Sequence, residues 1–337
     1  MSPLARRAET LKLARLLGTP PERLEFLQRL SPDELRSLRR HCTDALHDTG
    51  HEQLLRLANA ARLLPVPLLA KLGEKVFGPL LCARLAGLLP VTRAVEIAQR
   101  LSTPLLAEVC VQLDPRRTQA LVRSMPVPRV VEISRELARR GEYVVMAHFV
   151  DSLELAAVLA TAAVLDAETL LQVGFFVEDA ARLSAIVSGL SDVRLADTIR
   201  CAIEAAPELW PEALSLIATI DAPQRRRIAR LAAKFDDAVL ARMIERTQEL
   251  ALWPALLPLL AEMEEPVLAR LIKLPALKTP SVRQALTEAA ASDETWQRLA
   301  PLFSRMEPGA ARVLLAAADE LAPRLRTRLE AGLPGTA

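Results

Sequence analysis

The segment HCTDALHDTGHE, residues 41–52, collects His41, Cys42, Asp44, His47, Asp48, His51 and Glu52. Three of the chain's four histidines fall inside it. Imidazole, thiolate and carboxylate are the ligand types zinc takes. On one continuous helix Asp44, His47, Asp48 and His51 share a face, because residues three and four apart are neighbours. Gly50 is placed to end such a helix between His47 and His51. The spacing matches no defined metal motif. The segment therefore reads as a polar helix end and turn, with His47, His51 and Asp44 the residues a metal would use. No metal and no cofactor is expected.

A second feature is an absence. Between Gly141 and Ala181 there is neither Lys nor Arg, while Glu142, Asp151, Glu154, Asp166, Glu168, Glu178 and Asp179 are all present. Tyr143, His148, Phe149, Phe175 and Phe176 lie in the same stretch. Acidic residues interleaved with aromatics suit a basic peptide or helix. The candidate partner face is Asp151, Glu154, Glu168, Phe149, Phe175 and Phe176. The competing reading is a buried array centre whose carboxylates cap helix starts.

The third feature is APQRRRIARLAAK, residues 222–234, with Arg225, Arg226, Arg227 and Arg230. Consecutive arginines point around a helix rather than along one face, and no aromatic is interleaved to stack on bases. A solvated helix face is expected, and nucleic acid is not an expected partner. No GxSxG, P-loop, GxGxxG or HExxH phrase occurs. Acidic pairs such as Asp236–Asp237 and Glu264–Glu265 sit where helices should start, so capping explains them. The chain is expected not to be an enzyme.

These residues need elements to carry them. Half of the 337 residues are apolar, mostly Leu, Ala and Val; aromatics are 3%, and 24 prolines stand against 11 glycines. Leu, Ala, Arg and Glu favour helix, and no alternating β-branched run announces a sheet. The fold class is all-α. Net charge is +2, which gives no push toward nucleic acid or membrane. The most apolar stretch, residues 143–165, is broken by Asp151 and Glu154, so no membrane insertion is expected. Cys42, Cys82, Cys110 and Cys201 are scattered and form no CxxC pair, which predicts reduced thiols. With no apolar leader at the start, a cytoplasmic location is expected.

The tryptophans reveal a period. Trp210, Trp253 and Trp296 are 43 residues apart, and the same ruler reaches back to Ala167 and Ser124. Ten residues after the last four starts stand Val177, Ile220, Met263 and Met306, and then an acid, Glu178, Asp221, Glu264 or Glu307. Pro223, Pro266 and Pro308 follow. Ser191, Asp236 and Thr279 mark a further start. Side-chain oxygens at N-caps and prolines in first turns are helix-start signals. Each row thus holds about three short helices, near armadillo and HEAT lengths. The tryptophans are expected to be structural packing wedges.

Upstream the ruler shortens to 12 or 13 residues, through Leu64, Phe77, Leu89, Leu101, Leu113 and Met125. Helices of two turns are marginal alone and require stacking, as in a solenoid. Residues 1–63 read as an N-terminal helical cap, in which Ser31, Pro32 and Glu34 form a capping box. Residues 64–123 read as short-helix units, 124–331 as the 43-residue rows, and 332–337 as a fraying tail.

The short units, above all QLDPRRTQALVRSM, resemble the cytosolic N-terminal superhelix of bacterial MgtE-type magnesium transporters. The resemblance spans roughly residues 64–140. It implies an α-solenoid, and as a second function a cation-responsive regulatory domain. The transporter's nucleotide-sensor-like modules and membrane helices have no counterpart in this sequence, so no metal residues are carried over. The first expectation is a non-enzymatic scaffold or adaptor that holds a protein partner on a concave face. A HEAT-like nucleic-acid-binding protein is the third.

Overall fold

A computed structural model describes residues 3–48, 51–260 and 262–279, together with 281, 282 and 285. Trp296, Met306, Glu307, Pro308 and the tail lie outside them. Every regular element among the described residues is helical, and none of these helices is long and apolar enough to cross a membrane.

Helix starts follow the signals in the sequence. Ser31 and Glu34 exchange bonds reciprocally, the Glu34 amide donating to Ser31 Oγ at 3.2 Å and the Ser31 amide to Glu34 Oε2 at 2.7 Å. Asp166, Ser191, Asp221 and Asp236 each accept from the amide three residues on. Proline stands in the first turn of Val66–Leu72, Thr103–Gln112 and Val127–Arg139. Its missing N–H costs nothing there. The 143–165 run is two helices, Tyr143–Val150 and Leu155–Ala162, parted at Asp151 and Glu154.

The chain divides into two compact units, Met1–Ile186 and Val187–Ala337. In the first, most helices after residue 50 pack on the helix two further along. His51–Ala61 meets Gly78–Ala86, which meets Thr103–Gln112, which meets Val127–Arg139, which meets Leu155–Ala162. The intervening helices do the same: Val66–Leu72 meets Val91–Arg100, and Tyr143–Val150 meets Ala167–Phe175. In the second unit partners lie two or three helices along. Leu209–Thr219 packs on Trp253–Leu260, and Asp192–Glu204 packs on both Ala222–Ala232 and Asp237–Glu249. Trp210 and Trp253 are buried, at 1% and 2% exposure. The Trp210 indole N–H donates to Thr247 Oγ1 at 3.0 Å, and that of Trp253 to Gln248 Oε1 at 2.7 Å.

Arginines join these helices. The last carbonyls of a helix lack partners and carry its negative end, so a guanidinium fork fits there. Arg93 donates to Leu64 O, Arg129 to Leu101 O, and Arg182 to Val150 O and Leu153 O. In the second unit Arg227 donates to Leu190 O at 2.6 Å and Asp192 at 2.7 Å. Arg270, 43 residues later in the sequence, donates to Phe235 O at 2.7 Å and Asp237 at 2.6 Å. Arg227 is therefore a joint between helices, while Arg226 has a side chain 60% exposed. The expectation of a solvated face over the whole arginine run fails at Arg227, because its fork is taken by carbonyls.

Candidate functional site

The acidic stretch begins where Val127–Arg139 ends. Gly141, at φ +71°, lets the chain reverse there. The Gly141 and Glu142 amides donate back to Ala138 O and Leu137 O, both at 2.9 Å, the two bonds of a Schellman stop. Glu142 is thereby fixed at the head of Tyr143–Val150. That helix buries Val145, Met146, Ala147, Phe149 and Val150. Phe149 and Phe175 thus lie in the interior, not on a face open to a partner. Phe176 is half-buried and meets Phe175 edge-on, ring centroids 5.1 Å apart.

Asp151, Glu154 and Glu168 are exposed. Glu154 pairs with Arg123 at 3.6 Å, both side chains more than half exposed. Asp151 sits by Asp179 and Glu178. Partial burial, then those two carboxylates, raise its pKa above the ordinary aspartate value. Glu168 occupies the first turn of Ala167–Phe175.

Two other carboxylates of the stretch, Glu142 and Glu178, are covered by the chain's own N-terminal helices, Pro3–Leu17 and Pro32–Asp48. Lys12 donates to Glu178 at 2.8 Å and to Glu9 at 3.0 Å. Arg39 lies 2.6 Å from Glu178 and 3.3 Å from Glu9, and Arg36 lies 3.2 and 3.6 Å from them. Arg40 is 3.9 Å from Glu178, and Arg15 pairs with Glu142. Burial raises the pKa of Glu178, but Lys12, Arg39 and Arg36 outweigh it and hold it at about 2. Asp179, not Glu178, caps the next helix, accepting from the Ala181 amide at 2.8 Å. The cap has moved one residue along, which leaves Glu178 for the cluster.

His148 stands beside this cluster. Its Nε2 is buried without a hydrogen-bond partner. Burial first, then Arg39 and Lys12, lower its pKa to about 4, against the opposing pull of Glu178 and Asp114. Neutral imidazole is therefore the form present near pH 7.

The histidine-rich segment is divided between two helices, Pro32–Asp48 and His51–Ala61. The side chains of His47 and His51 lie outside the described residues. Asp44 pairs with Arg117 at 3.3 Å and Arg116 at 3.5 Å. His41 Nδ1 lies 2.8 Å from Ser37 O. Among the described residues no group of three His, Cys, Asp or Glu side chains is placed to hold a metal ion. The four cysteines are half-buried and form no disulfide with one another. Burial raises the Cys110 pKa to about 12, and burial with Glu74 raises that of Cys82. Both remain thiols at neutral pH, which leaves them poor nucleophiles.

No protein-family model, curated protein or solved structure compared with the chain matches it. The N-terminal cation set was not legible as a unit in the sequence. Its signal is local: Glu9, Lys12 and Arg15, and then Arg36 and Arg39, fall three residues apart, on one face of each helix.

Proposed function

We propose that this chain is a non-enzymatic scaffold, an α-solenoid of short helices that holds the basic segment of a protein partner. The observation that carries it is the packing of most short helices on a partner two or three along. Support also comes from arginine forks at helix ends and from the equivalent roles of Arg227 and Arg270. Such an array grows by local contacts and presents long surfaces. The binding face in this reading centres on the exposed carboxylates Asp151, Glu154 and Glu168, in a stretch with no Lys or Arg. Phe149 and Phe175 contribute packing beneath it. The Glu154–Arg123 pair leaves Glu154 available, since exposed pairs are worth at most about 1 kcal/mol.

Full-length protein used as bait should capture a partner in stoichiometric amount. Charge reversal at Asp151, Glu154 and Glu168 should weaken that binding at least tenfold in calorimetry. Unchanged affinity in the triple variant would remove this face from consideration.

A further inference from the structure

We infer that the two N-terminal helices are a latch that occupies, within the same chain, the acidic seat a partner's basic helix would take. This rests on the scaffold reading and adds its regulation. Pro3–Leu17 and Pro32–Asp48 pack on each other around Leu13, Ala14, Leu24 and Leu35, with Leu16, Leu27 and Leu30 against them. That is an apolar cluster of their own. What they present to Glu142 and Glu178 is charge: Lys12, Arg15, Arg36, Arg39 and Arg40. They sit as a basic helix pair on the longest stretch of the chain that lacks basic residues.

The contact has the energetics of a latch rather than a core. Removing charges from water costs nearly what their pairing returns, so a buried ion cluster adds little net stability. Here Lys12, Arg36 and Arg39 share the carboxylates Glu9 and Glu178, and Arg36 also pairs with the exposed Asp33 at 3.0 Å. The buried Nε2 of His148 is a polar atom left without a partner at the same place. Asp44 with Arg116 and Arg117 adds only half-exposed pairs. Glu178 lies beside Asp151 of the proposed face, so a basic helix that extends from that face onto Glu142 and Glu178 competes with the latch.

The test uses full-length protein and hydrogen exchange. Lys12→Gln with Arg39→Gln removes the cations and keeps the seat. Exchange in Pro3–Leu17 and Pro32–Asp48 should rise at least tenfold, because so small a detached segment is marginally stable. Exchange in Thr103–Gln112 and Val127–Arg139 should stay unchanged. Arg15→Gln, a milder change, should give a smaller rise in the same two helices. The probe for the vacated seat is a synthetic leucine–lysine amphipathic peptide of about 15 residues, long enough to form helix on contact. It should bind the opened variant at least tenfold more tightly than wild type, and adding Glu142→Gln and Glu178→Gln should abolish the gain. Unchanged exchange in the N-terminal helices overturns the latch. So does a rise shared by all of residues 3–186, or an opened variant that gains no affinity for the peptide. The two readings fail separately: a chain that binds no partner anywhere defeats the scaffold, whereas a partner captured with the N-terminal helices still protected defeats the latch alone.

Discussion

Lys12 donates to Glu178 across 2.8 Å although 166 residues separate them in the chain. Glu9, on the same helix as Lys12, meets three of the four cations that Glu178 meets. Lys12, Arg36 and Arg39 therefore bridge two carboxylates from distant parts of the sequence. Deleting one member leaves the others buried and unbalanced, which is costlier than the pair is worth. A charge swap, Lys12→Glu with Glu178→Lys, should recover at least half of the stability lost in Glu178→Lys alone. Urea denaturation followed by far-ultraviolet circular dichroism reads this. A swap no better than the single variant would show that the pair has no direct coupling.

The same cluster sets a pH dependence. His148 has a pKa of about 4 in the folded protein against an ordinary 6.5. The unfolded chain takes up a proton that the folded chain refuses, so stability falls as pH drops from about 6.5 to about 4. Glu178 is held at about 2 against an ordinary 4.5. Its contribution is complete above 4.5 and is lost as pH falls toward 2. Each effect is on the order of 3 kcal/mol at its limit. Asp151, raised by burial and by Asp179 and Glu178, acts in the opposite sense and offsets part of the Glu178 effect. His148→Gln should flatten the profile between pH 6.5 and 4 while leaving the steeper fall below it. A profile identical to wild type would show that His148 does not titrate in that window. The tryptophans all lie in the second unit, so hydrogen exchange at Tyr143–Val150 is the appropriate probe.

Local grammar explains which parts were legible in the sequence. Asp221 and Asp236 cap helices because a carboxylate one residue before a first turn has few other uses, and the Ser31–Glu34 box is likewise self-contained. The break at Asp151 and Glu154 was visible because charge cannot continue through an apolar run. Glu178 looks like Asp221 in its row, yet Asp179 does the capping. Only the fold brings Lys12 and Arg39 to it. Phe149 and Phe175 looked like a lining because aromatic content does not say which way a ring points. Arg227 looked solvated because, Asp192 apart, its acceptors are backbone carbonyls of residues 187–190, which leave no side-chain trace in the sequence.

The tryptophan interval has an energetic consequence. Trp210 is buried against Thr247, whose hydroxyl also donates to Met243 O at 2.8 Å. Thr247→Val keeps the shape but strands the indole N–H, at a cost of about 1–3 kcal/mol. Trp253→Ala should cost more, roughly 3–5 kcal/mol, through lost burial and the cavity left behind. Intrinsic fluorescence during urea unfolding reads both in the second unit. A Trp253→Ala loss below that of Thr247→Val would remove the indole from its place as the main wedge.

Neighbouring arginines should behave differently. Arg226 donates to Ala222 O of its own helix and forms a long ion pair with Glu262 at 3.8 Å. Its replacement by alanine should change stability by less than about 0.5 kcal/mol, as at other surface sites. Arg227 closes the end of Ala180–Gly189 and grips Asp192, so Arg227→Ala should cost roughly 2–3 kcal/mol. Arg227→Lys should recover less than half of it, because a single ammonium cannot span carbonyl and carboxylate as a planar fork does. Arg270 makes the same contacts at Phe235 and Asp237 and should show the same alanine-to-lysine pattern. Equal effects at Arg226 and Arg227 would mean that net charge, not the joint, is what the arginine run supplies.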